Sequence, residues 1–302
     1  MKIGYPCINR SIECRGNRTF RLASYSPERF IDVCTNNLDC LAQILRYNVS
    51  FGILFFRISS DLIPFASHPV LDISWQEVFQ PKLEEIGEYI RANRIRISMH
   101  PDQFVVINSK RSDVVERSIR ELEYHADLLE LLGLGQEARI QIHVGGVYGD
   151  RHTSMDRFVS RYHGLPDDRV CAHLSIENDD RSYCLADCLE ISRKTGIPVI
   201  FDSFHHSLLN RGEPVPEAMA SAAATWGRDH GLPMVDYSTQ KPGQRPGTHA
   251  ETIDIDDFRG FVLESSGLDF DIMLEIKDKE ASALRAIESL RPDPRLVTGM
   301  DS

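Results

Sequence analysis

No stretch of the 302-residue chain approaches the length of a membrane-spanning apolar run, and no apolar leader comes first: Met1-Lys2-Ile3-Gly4-Tyr5 reads directly as a strand. The expectation is a cytoplasmic protein with no membrane partner. There is no CxxC pair either. Seven cysteines stand at positions 7, 14, 34, 40, 171, 184 and 188, an odd number, with Cys184 and Cys188 four apart on an expected helix. They read as reduced, packed thiols rather than as a zinc site or a disulfide framework. No linker, repeat or low-complexity segment divides the chain. Positive charge is also short, since the formal net charge is −11. Taken alone, that argues against a nucleic-acid binder, unless many of the acids are buried ligands around divalent cations. What remains is ordinary for a globular protein: 42% hydrophobic and 26% charged residues, enough for a sizeable core.

Apolar runs alternate with amphipathic ones eight times. Strands are expected over residues 2–5, 53–58, 95–100, 139–144, 173–177, 198–202, 233–236 and 270–275. Helices are expected over roughly 27–51, 75–93, 112–132, 154–163, 183–195, 214–224, 254–265 and 279–290. Ser26-Pro27 opens the first helix as N-cap and first-turn proline, and Gly52 ends it. Ser74 and Glu77 form a capping-box pattern at the start of the second. Continuous apolar strands between helices mean a parallel sheet covered on both faces. Eight such units fit a closed (β/α)8 TIM-type barrel, one domain over residues 1–290 with an irregular tail over 291–302. A doubly wound open sheet is the alternative.

The strands share an ending. Ile97-Ser98-Met99 runs into His100, and Pro101 stops it; Ile140-Gln141-Ile142 runs into His143. Leu174-Ser175-Ile176 ends in Glu177, Val199-Ile200-Phe201 in Asp202, Met234-Val235 in Asp236, and Ile272-Met273-Leu274 in Glu275. In a barrel these ends converge on one rim, where barrel enzymes place their active sites. With His205, three residues after Asp202, and the loop residue His249, they form a set of imidazoles and carboxylates suited to Zn, Mn or Fe. The spacing favours His205 over His206. Eight donors exceed one site with open positions, so two or three divalent ions are implied, and clustered ions suit phosphodiester hydrolysis. Any one of these residues alone reads as a capped strand end; six alike do not.

The chain resembles the UV damage endonucleases. The resemblance lies in Gly4-Tyr5-Pro6-Cys7 with Asn9, Arg57-Ile58 through Leu62-Ile63-Pro64-Phe65-Ala66-Ser67-His68-Pro69, Ser98-Met99-His100-Pro101 with Gln103-Phe104, and His143-Val144-Gly145-Gly146 with Tyr148-Gly149. It continues in Glu177-Asn178-Asp179, Asp202 with His205-His206, Arg245-Pro246-Gly247 with His249, and Glu275-Ile276-Lys277. It implies a TIM-type barrel, like that of endonuclease IV-type enzymes. It also implies a nick in duplex DNA immediately 5′ of ultraviolet photoproducts, leaving 3′-hydroxyl and 5′-phosphate ends, with Mn2+ as the usual metal and Zn2+ or another divalent ion as a substitute. By the same resemblance His100, His143 and Glu177 hold one ion. Glu177 bridges to a second, shared with Asp202, Asp236 and Glu275, and His205 and His249 hold a third. His68 lies near the scissile phosphate, so the catalytic set is His68, His100, Glu177 and Glu275. Gln103 and Phe104 wedge into the duplex, Tyr5 and Asn9 probe the bases, and the enzyme is a monomer. Read without the resemblance, Phe104 is a core residue after a tight turn and Tyr5 a strand aromatic.

Two positions depart from the pattern. Where the resemblance calls for Lys-x-His on strand seven, with a lysine that can be carboxylated, the chain has Met234 and Asp236. Arg10, Arg15, Arg18, Arg21, Lys110 and Arg111 lie on loops or element starts of the rim, a basic edge on an acidic body that phosphates could meet. Two other classes compete: a divalent-metal sugar isomerase or epimerase on the same barrel, with one or two ions, and a catalytically impaired protein that binds damaged DNA.

Overall fold

The computed structural model describes residues 1–299. Eight parallel strands close into a barrel in chain order: β1 (Ile3–Pro6), β2 (Phe55–Ile58), β3 (Arg96–Met99), β4 (Arg139–His143), β5 (Leu174–Glu177), β6 (Val199–Asp202), β7 (Met234–Tyr237) and β8 (Asp271–Leu274). β1 pairs with both β2 and β8, so no edge remains. The helices are α1 (Pro27–Ser50), α2 (Trp75–Ala92), α3 (Ser112–Leu131), α4 (Arg151–His163), α5 (Asp168–His173), α6 (Leu185–Thr195), α7 (Ser203–Leu208), α8 (Val215–Ala223), α9 (Ile255–Glu264) and α10 (Glu280–Leu290). The open-sheet alternative is thereby excluded. Of the expected tail, residues 291–299 carry no helix or strand, and 300–302 lie outside the described residues.

The barrel interior is built in layers, as the two-residue period of a strand requires. At the N-terminal end, Arg96 donates to Asp271 at 3.2 Å, and both Arg96 and Arg139 lie against the Trp226 ring. Above them Phe55, Ile200, Met234 and Met273 pack together as an apolar plug. Gly4 lets β1 close against this plug, because a Cβ there would lie 2.3 Å from the Phe55 carbonyl oxygen. Two residues further along the same strands come Arg57, Asp202, Asp236 and Glu275. The apolar layer thus forms the floor on which the polar rim stands.

Local details differ from expectation in four places. The Ser74 side chain does not cap α2. Helix α4 starts at Arg151, three residues early, because Asp150 accepts a bond from the Thr153 amide and caps it. Helices α5 and α7 are six residues each, too short to leave a period in the sequence. His173 accordingly closes α5 rather than opening β5. Finally, the cysteines are not all thiols: Cys14 and Cys40 form a disulfide that ties the loop after β1 to α1, while Cys7, Cys34, Cys171, Cys184 and Cys188 stay unpaired. Sequence spacing does not reveal this pair, because the loop brings its two ends together only after α1 has docked. The bond spans 26 residues, and closing such a loop restricts the unfolded chain by about 3–4 kcal/mol. Replacing both cysteines with alanine is expected to lower unfolding stability by that amount in chemical denaturation.

Candidate metal centre

The rim residues come from different strands, and each is positioned by backbone rather than by long side-chain reach. Glu177 and Asp202 are the last residues of β5 and β6; His100 and Glu275 follow β3 and β8 by one. Asp202 also caps α7, its Oδ1 accepting from the His205 amide at 2.8 Å, which fixes His205 one turn above the strand. The Asn178 side chain ties the ends of β5 and β6 together, donating to the Asp202 carbonyl at 2.9 Å and accepting from the Asp202 amide at 3.0 Å.

Glu177, 1% exposed, is the centre of the set. His100 Nε2 lies 2.7 Å and His143 Nε2 3.2 Å from its Oε1. His100, His143 and Glu177 form one group of converging donor atoms, and Glu177, Asp202 and His205 form a second, each within 4.8 Å. Three imidazoles share a telling arrangement. His100 Nδ1 faces the Pro101 carbonyl at 2.9 Å, His205 Nδ1 the Asn178 carbonyl at 3.0 Å, and His249 Nδ1 the Glu275 carbonyl at 2.9 Å. A carbonyl only accepts, so Nδ1 carries the proton and the Nε2 lone pair is left for the centre. Lone pairs and carboxylates facing one another repel unless cations or protons lie between them. The donor set therefore fits divalent ions.

The electrostatics say the same. Burial pushes the Glu177 carboxyl up, but the charges of His143 and His100 outweigh it and hold Glu177 well below the usual range. Burial pushes His205 down; Asp202 and Glu177 reverse that and raise it to about 9. His100 is likewise raised, Glu177 overcoming its burial. Burial, with Glu275 and Asp236 nearby, drives Asp202 well up against the pull of His205. Without metal the centre draws protons onto its histidines, the place bound cations would take.

Asp236, the register neighbour of Asp202, and Glu275 stand at the ends of β7 and β8, and there the partner is Arg57. This guanidinium, 3% exposed, places Nη2 2.9 Å from each Asp236 oxygen and 2.8 Å from Gln141 Oε1, and Nη1 against Glu275 Oε1. Gln141 Nε2 in turn donates to Glu177 Oε2 at 2.7 Å and Asp236 Oδ2 at 2.5 Å. His249 Nε2 is 4.0 Å from Glu275 Oε2. Sequence reasoning passed over Arg57, Gln141 and Asn178 as side chains in their own right. The signal was there for the first two: each is a lone polar residue between apolar neighbours in a strand, two positions from a layer that must be filled. Met234 lies one layer below, buried in the apolar plug.

The remaining predicted residues divide. His206 is buried away from the centre, with Nε2 on the Glu213 carbonyl. Tyr5 and Asn9 are 0% and 3% exposed; Tyr5 OH donates to Asn48 Oδ1 at 2.6 Å and accepts from Asn9 Nδ2 at 2.8 Å. Both are sealed against α1, so neither offers its side chain to a base here, and the strand-aromatic reading describes Tyr5. Phe104 does the reverse: at 76% exposure it is no core residue. With Gln103 and the exposed His68 it edges a cavity of about 660 Å³ between the β2–α2 and β3–α3 loops. His68 lies outside both groups of converging donors. Arg10, Arg15, Arg18 and Arg21 are exposed, and among the described residues none of their guanidinium groups forms an ion pair, although the Arg10 amide donates to Glu280. Arg111 is neutralised by Asp113.

A model described as UV-endonuclease UvdE matches residues 1–297. The UV DNA damage endonuclease of Clostridium perfringens is 40% identical over 293 residues, covering 96% of this chain and 71% of that protein. A solved structure titled SacUVDE superposes with a TM-score of 0.93 at 48% identity, covering 98% of this chain and all of the other. Endonuclease IV from Thermus thermophilus shares the fold at a TM-score of 0.55 and 14% identity, over 84% of this chain and 93% of the other.

Proposed function

The chain belongs to the UV-endonuclease family, and from that premise we propose that it nicks duplex DNA immediately 5′ of ultraviolet photoproducts by metal-assisted phosphodiester hydrolysis. The products would be 3′-hydroxyl and 5′-phosphate ends, with Mn2+ as the resident metal and Zn2+ or another divalent ion as a substitute. The observation that carries this reading is the pair of donor groups sharing Glu177 at the C-terminal rim of the barrel. Bound there, divalent ions would polarise the phosphoryl oxygens, supply hydroxide near neutral pH and stabilise the leaving oxygen. His100, His143, Glu177, Asp202 and His205 would hold them. Every candidate ligand comes from one barrel, so a single chain is a sufficient unit. Family membership removes the reason for the sugar isomerase reading. The impaired binding protein is kept in view by Met234 and Asp236, but Met234 fills the barrel floor and Asp236 stays ionically paired.

Lesion recognition falls to the loops. Photoproducts weaken stacking, so a damaged step costs less to kink and open than a sound one. Phe104 at its loop tip is a ready wedge for the opened step. The unpaired arginines after β1 suit the flanking phosphates and supply the basic edge that the acidic total conceals. His68 would contact the scissile phosphate from the cavity wall.

The test is cleavage of an end-labelled, single-lesion duplex beside an undamaged control. Phe104→Ala is expected to weaken binding to the lesion duplex about 10- to 100-fold, since base–aromatic stacking contributes ~1–3 kcal/mol per base. Metal content should not change, which a metal assay on the same preparation checks.

A further inference from the structure

We propose that the Arg57 guanidinium takes the place of a divalent ion on the β7–β8 side of the centre. This chain then holds two divalent ions, at His100–His143–Glu177 and at Glu177–Asp202–His205, and uses Asp236 as a counter-ion rather than as a ligand. The inference rests on the metal-assisted reading above and deepens it.

Four observations carry it. First, the Asp236 carboxylate is already engaged: each oxygen lies 2.9 Å from Arg57 Nη2, and Oδ2 also accepts from Gln141 at 2.5 Å. A carboxylate has about four acceptor sites, and three are used. Second, Arg57 has nowhere else to go. It sits mid-barrel between Phe56 and Ile58, 3% exposed, and its Nε already lacks a partner. An arginine does not shed its proton to make room. An ion ligated by Asp236 and Glu275 would face a fixed positive charge at contact distance.

Third, the donors run out on that side. Met234 offers the barrel floor a thioether, packed against Phe55, Ile200 and Met273. Among the described residues, the converging donor groups are the two that share Glu177. His249 and Glu275 Oε2 stand 4.0 Å apart without a third member. Fourth, the charges balance. Glu177, Asp202, Asp236 and Glu275 are set against two dications and one guanidinium, leaving a single positive charge, which one phosphodiester neutralises. A third dication would leave three positive charges in a buried centre, a costly excess.

Asp236 still touches the centre indirectly, because Gln141 bonds both Asp236 and Glu177. Asp236→Asn should therefore weaken Mn2+ binding about 10- to 100-fold, as loss of an outer-shell partner does, yet leave the saturating count unchanged. The experiment strips the full chain with chelator, reloads it with Mn2+, and counts ions per chain by elemental analysis during a titration. Two ions in the wild type and two at saturation in Asp236→Asn support the proposal. Three ions in the wild type, or one fewer in Asp236→Asn than in the wild type, overturn it. No ion in the wild type would sink the metal centre itself, a different failure. If Asp236→Asn does not fold, anomalous diffraction from Mn-loaded wild-type crystals decides the matter. Two peaks, neither within bonding distance of Asp236, support the proposal; a peak on Asp236 refutes it.

Discussion

Glu177→Gln should lower lesion-directed nicking by at least about 10³-fold, a loss of ~4 kcal/mol of transition-state stabilisation. The change is nearly isosteric, so packing at the end of β5 is preserved. What is lost is charge and symmetry. Glu177 Oε1 faces the Nε2 atoms of His100 and His143, its Oε2 accepts from Gln141, and both donor groups depend on it. An amide offers one acceptor and turns a donor toward an imidazole or a cation. Metal content should fall together with activity, while binding to the lesion duplex, which the proposed reading gives to the loops, should persist. Wild-type metal content and wild-type cleavage in this variant would mean the centre lies elsewhere.

Arg57→Met should destabilise the metal-free protein by about 3–5 kcal/mol at neutral pH, the range for removing one partner of a buried ion pair. Asp236 and Glu275 would keep their burial and lose their cation. The dependence on pH follows from the carboxyls. Burial pushes Glu275 up, but Arg57 outweighs it and holds Glu275 at about 2. A depressed carboxyl contributes stability above its unfolded value near 4.5, and that contribution is lost as pH falls toward 2. Asp236 runs the other way: burial raises it to about 6 despite Arg57. Its contribution is fully present below about 4 and is lost as pH rises through 6. Without Arg57 both carboxyls behave like raised groups. The deficit of Arg57→Met should therefore be largest at pH 7 and shrink toward pH 4, as read by urea unfolding in the presence of chelator. An equal deficit at both pH values would show that the guanidinium acts by packing alone.

The barrel was legible because its signal is collective. Eight apolar runs alternating with eight amphipathic ones leave few other architectures, and strand-end residues such as His100, Glu177 and Asp202 must then meet on one rim. What escaped was local or non-local in a way no period records. Helix α7, six residues long, leaves no stripe, yet it is what carries His205 to the centre. The Cys14–Cys40 bond depends on how the loop after β1 folds back on α1. Arg57 and Gln141 sat within apolar strands, where a polar residue reads as an exception until a barrel interior gives it partners. Phe104 and Tyr5 show the limit of residue type as a guide to exposure. A phenylalanine after a short strand looks like core and stands in solvent; a tyrosine matched to base recognition is bonded to Asn48 and Asn9 inside the protein. Their places are decided by the loop and by α1, not by the strands they follow.

The central claim is that the rim of this barrel cuts DNA at ultraviolet lesions with divalent ions held around Glu177. The most direct measurement is cleavage of a duplex bearing one photoproduct, end-labelled, with Mn2+ and with chelator, beside an undamaged duplex of the same sequence. A single Mn2+-dependent cut immediately 5′ of the lesion, bearing a 3′-hydroxyl and absent from the control, is the predicted result. Tight lesion binding by the metal-loaded protein with no cut, or a cut that survives chelation, would contradict it.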